Sequence, residues 1–305
     1  MTPLTIRQLH YFDALARTGH FGQAAEACAI SQPALSMQIK ELESLLGAPL
    51  FERSAKKLRL TPFGEEAVER ARQILKSIDE LEDLARASSE RLVGRLRIGV
   101  IPTIAPYLLP AVIQRLQKDH PGLDIHIRET ITPTLLEELN NGKLDAAIVA
   151  LPVSEAGINE VPLIDENFVL VRPEADAKKP IPNPDALREM RLLLLEEGHC
   201  FRDQALAFCN FRPGTSREVL DANSLATLVQ MVSAGLGVTL IPEMAVPIET
   251  QSAKVTVTSF KKPKPTRTIG MVWRNSTPLA RQLEDICNAT RETIELKMRE
   301  LVQGE

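Results

Sequence analysis

The run Gly198-His199-Cys200-Phe201-Arg202-Asp203-Gln204 sets one thiol among an imidazole, a guanidinium and a carboxylate. Such polar company favours the thiolate, the nucleophilic form of cysteine. A second thiol, Cys209, follows nine positions later. If the stretch between them is helical, as the apolar spacing of Ala205, Leu206 and Phe208 allows, nine residues advance about 13.5 Å along the axis and leave the two side chains on opposite faces. A disulfide needs Cα atoms roughly 4.4–6.8 Å apart. The pair suits a switch that remodels its own segment and does not suit a static structural bridge.

The other thiols read differently. Cys28 between Ala27 and Ala29, and Cys287 between Ile286 and Asn288, sit in helical, apolar contexts, where free cysteine is usually a small buried hydrophobe. Cys209, flanked by Phe208 and Phe211, reads as a buried thiol that waits until the segment opens. His199, Cys200, Asp203 and Cys209 are all potential zinc ligands, but they lack the closely spaced cysteine pairs that structural zinc wants. Phosphate-cradling GxxxxGK[ST] and GxGxxG loops and a GxSxG elbow are absent, so neither a metal nor a cofactor is expected.

Positioning that thiol needs an α/β frame, and the region after residue 94 has the pattern of one. Strand-like Arg95–Val100, a helix over Ala105–His120, strand Leu123–Arg128, a helix over Thr134–Asn141 and strand Leu144–Ala150 give a βαβαβ order, which predicts a mainly parallel sheet covered by helices. Phe168–Arg172 reads as a strand leaving this lobe. A second lobe follows: the leucine run 192–195, the cysteine segment, strand Ser216–Leu220, helix Ser224–Ala234 and a strand after Gly235. Thr268–Trp273 returns, and Pro278–Leu301 is a long amphipathic helix.

The N-terminal region is built for a different task. Leu4, Leu9, Phe12, Leu15 and Ala16 have helical spacing; a turn at Gly19-His20 and a short helix Phe21–Cys28 follow. Ser31 is placed to cap a helix with Pro33 near its start. That helix buries Leu35, Ile39, Leu42, Leu45 and Leu46 and stops at Gly47, leaving Ser31, Gln32, Ser36, Gln38 and Lys40 facing out. This is a helix-turn-helix, followed by two short strands around a basic wing at Ser54-Ala-Lys-Lys. Residues 63–91 read as one polar helix whose Ala67, Ala71, Ile74, Ile78, Leu81 and Ala85 form a heptad seam, as in a dimerisation helix.

Bulk properties fit a multi-domain globular protein: 305 residues, 44% hydrophobic, 25% charged and a net charge of −4. The acidity is not uniform, since residues 1–62 hold seven Lys/Arg against five Asp/Glu. No apolar run reaches the ~18 residues of a membrane span and no signal peptide is visible, so the expectation is the cytoplasm, with no membrane partner.

Phe21-Gly-Gln-Ala-Ala-Glu, Ser31-Gln-Pro-Ala-Leu-Ser, Gln38-Ile-Lys-Glu-Leu-Glu, Leu46-Gly-Ala-Pro-Leu-Phe-Glu-Arg and Leu60-Thr-Pro-Phe-Gly together resemble the N-terminus of LysR-type transcriptional regulators over 60 residues. Glu197-Gly-His-Cys-Phe-Arg-Asp-Gln-Ala with Phe208-Cys is similar to the signature of the peroxide-sensing branch of that family. Ile98-Gly-Val-Ile-Pro-Thr, Gly142-Lys-Leu-Asp, Glu160-Val-Pro-Leu and Arg267-Thr-Ile-Gly-Met-Val extend the likeness along the chain. Two residues depart from the pattern: Met37, where most members carry arginine, and Phe201, where the branch often carries leucine.

The resemblance implies a winged helix-turn-helix over 1–62, a linker and dimerisation helix over 63–91, and a two-lobed regulatory domain over 92–305, similar to periplasmic binding proteins. Its lobes would be 92–167 with 270–305, and 168–269. It implies that Ser31, Gln32, Pro33, Ser36 and Gln38 enter the DNA major groove while Arg53, Lys56 and Lys57 hold phosphates. It implies hydrogen peroxide bound beside Cys200 by Thr103, Thr132, His199, Arg202 and Asp203, then a Cys200–Cys209 disulfide that alters a homodimer or homotetramer on double-stranded DNA and its dealings with RNA polymerase. Thr103 and Thr132 could equally cap the helices that follow them. Two other functions compete: a regulator of the same family answering another small molecule, and a thiol peroxidase.

Overall fold

A computed structural model describes residues 4–52, 58–88, 93–183, 186–187, 190–208, 220–261 and 264–303. The chain divides into two compact units, residues 1–84 and 85–305.

In the first unit, α1 (Ile6–Thr18) starts at a capping box in which Thr5 and Gln8 satisfy each other's backbone amides, and it ends at left-handed Gly19. Helix α2 (Phe21–Ala27) is capped by the His20 ring. Helix α3 (Gln32–Leu46) begins under the Ser31 hydroxyl and ends at left-handed Gly47. Leu35, Ile39 and Leu42 are buried against Leu9, Phe12 and Leu15, but Leu45 and Leu46 are 38% and 39% exposed, against the sequence expectation. They lie in the last turn of α3, beyond the reach of α1 and α2. The two strands expected around the wing shrink to one antiparallel bridge, Phe51 to Leu60, and the wing itself (residues 53–57) lies outside the described residues.

Helix α4 (Pro62–Ala87) is continuous, but the expected seam is not a single face. Val68, Ala71 and Leu75 are buried in the first unit's core, while Ile74, Leu81 and Leu84 are exposed. A helix turns 100° per residue, so an apolar set long enough to serve both a core and a seam must divide between them.

The second unit is α/β. Strands β1 (Gly94–Val100), β2 (Leu123–Glu129) and β3 (Ala146–Leu151) are parallel, with α5 (Ala105–Asp119) and α6 (Thr132–Asn140) as crossovers. The rest of the sheet corrects the expectation of a mainly parallel one. A single 16-residue strand, β4 (Ile158–Pro173), begins antiparallel to β9 (Thr266–Arg274) and continues antiparallel to β7 (Thr239–Pro242) and β8 (Val255–Ser259); β9 also runs antiparallel to β3. β4 and β9 carry the chain from one lobe to the other and back, and strands that go and return side by side without a crossover run antiparallel.

Within the second lobe, β5 (Leu193–Leu195) pairs in parallel with β6 (Leu220–Ala222). Between them in sequence stands α7 (Cys200–Phe208). Helices α8 (Leu225–Ser233) and α9 (Val246–Glu249) complete the lobe, and α10 (Ala280–Gln303) packs on α5. A last turn of α4 belongs to this unit too: Arg86 and Arg97 both bind the buried carboxylate of Asp145.

Candidate functional site: the cleft at Cys200

Cys200 is the first residue of α7. The amides of a helix's first turn have no partners inside the helix, and its positive end favours negative charge nearby. The preceding Gly198 has φ +96, and a Cβ there would stand 2.9 Å from Ile131 Cδ1. Only glycine fits both the left-handed backbone and the approach to the start of α6.

An open cleft of about 620 Å³ brings together Thr132, Glu137, Glu155, Gly198, Cys200 and Asp203, with Leu136 and Pro152 among its apolar walls. Three expected site residues, Thr132, Cys200 and Asp203, therefore share one cavity. Neither threonine caps a helix: α5 and α6 have Ile104 and Ile131 at their N-caps, with no side-chain bond. Thr132 Oγ1 is buried with no hydrogen-bond partner, an orphan that ordinarily finds one. Thr103 is buried and receives Arg267 Nη1 at its Oγ1 (2.8 Å) and Nη2 at its carbonyl (3.0 Å).

Arg202 turns to its own lobe. Its Nη1 donates to Leu195 O at 2.7 Å and to Asp221 at 2.6 Å, fastening α7 to β5 and β6. His199 is half-buried; desolvation holds its pKa below the usual value, against a smaller upward pull from Glu196. A neutral imidazole is what remains, a group that accepts a proton. Burial pushes the Cys28 and Cys287 thiols up, the behaviour of inert cysteines, although Cys28 is only half-buried. Cys209 lies outside the described residues, as do Arg53, Lys56 and Lys57. Among the described residues no cluster of His, Cys, Asp and Glu could hold a metal ion.

Behind α7, Phe201 is 2% exposed and packs edge-on against Phe168, with ring centroids 4.9 Å apart. The Arg267 guanidinium lies over its ring and is itself ion-paired with Glu166 at 2.8 Å; both charged side chains are fully buried. Glu166 also accepts from the Met244 amide. Sequence reasoning missed this network and the cleft walls Glu137 and Glu155. No local spacing could have signalled them, because each comes from a different element.

On the first unit, Gln32, Pro33 and Met37 are exposed along α3 and Ser36 is half-buried beside them. Ser31 spends its hydroxyl on the Ala34 amide, and the Gln38 amide bonds to Glu41 at 3.1 Å.

Residues 6–65 match the bacterial regulatory helix-turn-helix protein model of the lysR family, and residues 89–295 match the LysR substrate binding domain. The chain belongs to the LysR family; it is a regulator of transcription and not an enzyme. Within that family it is similar to proteins of the OxyR type. It is 42% identical over 293 residues to the DNA-binding transcriptional dual regulator OxyR of Escherichia coli K12, covering 94% of this chain and 95% of that one. A cysteine variant of full-length OxyR from Pseudomonas aeruginosa superposes with a TM-score of 0.72 at 38% identity, covering 95% of this chain and 96% of that one. A hydrogen-peroxide-bound cysteine variant of OxyR from Corynebacterium glutamicum gives 0.66 at 35%, covering 96% and 93%.

Proposed function

We propose that this chain is a transcription regulator that senses hydrogen peroxide through Cys200. The observation that carries the reading is the placement of that thiol at a helix start, in a cleft whose Thr132 hydroxyl is buried and unpaired. Thr132 supplies a hydrogen bond to a bound peroxide, and Asp203 and the neutral His199 ring are the other polar groups of the segment. His199 takes the thiol proton. The thiolate then attacks one peroxide oxygen, the O–O bond breaks, and hydroxide leaves, so that Cys200 becomes a sulfenic acid. The Cys209 thiol next attacks the Cys200 sulfur and expels water, forming a disulfide.

Helix geometry sets the mechanical consequence. From Cys200 to Phe208, α7 rises about 12 Å, and one further residue spans at most ~3.8 Å between Cα atoms. The Cα atoms of Cys200 and Cys209 are then at least about 8 Å apart while α7 is intact, too far for a disulfide. Oxidation must unwind at least part of α7, and unwinding that reaches its first turn withdraws Phe201 from the core and releases Arg267.

The same reading gives the regulator double-stranded DNA as its partner, read through Gln32, Pro33 and Ser36 with Ser31 and Gln38 beside them and with Arg53, Lys56 and Lys57 on phosphates. It gives a homodimer or homotetramer, in which the exposed Ile74, Leu81 and Leu84 of α4 are available to a second copy, and RNA polymerase as the downstream target. Residues 168–269 form the second lobe of the regulatory domain, and the protein works in the cytoplasm; among the described residues no helix is long and apolar enough to cross a membrane.

The test is thiol mass spectrometry with DNA footprinting, before and after about one equivalent of peroxide. A Cys200–Cys209 bond with an altered footprint is the expected result. An unchanged footprint, or no such bond, overturns the switch.

A further inference from the structure

Three carboxylates face the cleft at Cys200: Glu137 from α6, Glu155 from the loop between β3 and β4, and Asp203 from α7. Among the described residues no lysine or arginine lines it. Among the described residues none of the three is ion-paired. Two described cations at or behind α7 are committed elsewhere, Arg202 to Asp221 and Arg267 to Glu166, and desolvation disfavours the charged form of His199. The cleft's own recognition group is uncharged, the buried, unpartnered hydroxyl of Thr132.

A pocket lined by one sign of charge focuses that potential on whatever enters. We propose that Glu137, Glu155 and Asp203 make this cleft a charge filter, open to neutral oxidants such as hydrogen peroxide and resistant to anionic ones such as carboxylate-bearing organic hydroperoxides. The proposal rests on Cys200 being the reactive thiol of the function given above. It adds which reagents reach that thiol.

The size of the effect follows from distance and screening. A cleft of about 620 Å³ is roughly 9 Å across, so each carboxylate acts within about one Debye length at 0.1 M salt. In a water-filled site a unit charge at that range changes the local concentration of a monovalent anion about twofold. Three charges give about eightfold at low salt, and the effect fades as salt is raised.

Alkylation separates charge from chemistry. Iodoacetamide and iodoacetate attack a thiolate by the same displacement, which forms a carbon–sulfur bond and releases iodide, but only the second is an anion. The reduced, full-length protein is treated with each, and modification of the Cys200 peptide is followed by mass spectrometry with free cysteine as reference. At about 10 mM salt the iodoacetate-to-iodoacetamide rate ratio at Cys200 is expected about eightfold below that of free cysteine, and near it at about 1 M salt. The double variant Glu137→Gln/Glu155→Gln, at two solvent-exposed positions, raises the low-salt ratio about fourfold. A ratio equal to that of free cysteine at low salt overturns the filter, and so does a depressed ratio that the double variant leaves in place. The peroxide reading fails separately: loss of the disulfide response with the depressed ratio intact removes that function and leaves the filter standing.

Discussion

The guanidinium of Arg267 lies 5.7 Å from the ring centroid of Phe201, the residue that follows Cys200. The same guanidinium donates to Thr103 Oγ1 at 2.8 Å and to Glu166 Oε2 at 2.8 Å. One buried cation thus joins the start of α7 to the loop after β1 and to β4, the strand that crosses between lobes. An event that unwinds the first turn of α7 disturbs this cation.

Phe201 is therefore expected to hold the reduced form together. Phe201→Ala empties a core site between Phe168 and Arg267 and should cost about 3–5 kcal/mol in urea unfolding. Phe201→Leu keeps most of the volume and loses the ring contacts, for about 1–2 kcal/mol. Equal losses from both variants would show that the ring contacts, and not the volume, set the stability.

The Glu166–Arg267 pair is expected to be unforgiving when halved. Glu166→Gln leaves a buried guanidinium without its counter-charge and should destabilise by about 3–5 kcal/mol. The double variant Glu166→Gln/Arg267→Met should lose clearly less than the sum of the two single losses in the same denaturation assay. Additive losses would mean the two side chains act independently.

Gly198 carries two constraints that can be separated. Gly198→Ala strains a left-handed backbone, at about 1–3 kcal/mol, and also presses its methyl on Ile131 Cδ1. Adding Ile131→Ala relieves the second constraint only. Thermal unfolding should show partial recovery; full recovery would assign the whole cost to the contact.

The protonation of His199 links pH to the stability of the cysteine segment. Its folded pKa lies below the ordinary value of 6.5, chiefly through desolvation. In the window just below pH 6.5 the unfolded chain binds more protons than the folded one, so stability rises with pH through that window and is lost as pH falls through it. Protection factors at the amides of α7, which divide out the intrinsic slowing of exchange on acidification, should fall as pH drops through this window. His199→Gln should abolish that fall. Its persistence in that variant would place the titrating group elsewhere.

On α3, the helix proposed to enter the major groove, Met37 is 61% exposed. Met37→Arg adds a cation beside Gln32, Pro33 and Ser36. If it reaches a phosphate, the slope of log affinity against log salt should steepen by about 0.9. Fluorescence anisotropy across a salt series measures that slope, and an unchanged slope would place residue 37 away from the backbone.

Local signals carried much of the architecture. The caps at Ser31 and Gly47, the βαβαβ order and the outer face of α3 were all legible, because each depends on side chains within one or two helical turns or on strand-length apolar runs. The polar neighbours of Cys200 were legible for the same reason, since they are adjacent in the chain. Tertiary structure decided what those neighbours do. It turned Arg202 toward Asp221, gave Thr103 to Arg267 and left Thr132 unpaired. It divided the apolar set of α4 between a buried and an exposed face, and it made β4 one long antiparallel strand. Glu137, Glu155 and Cys200 meet only because α6, the loop between β3 and β4, and α7 converge on one cleft. Residue types and local periodicity specify elements, whereas a site that joins α7 to elements more than 40 residues earlier in the chain depends on how those elements pack together, and no local spacing encodes that.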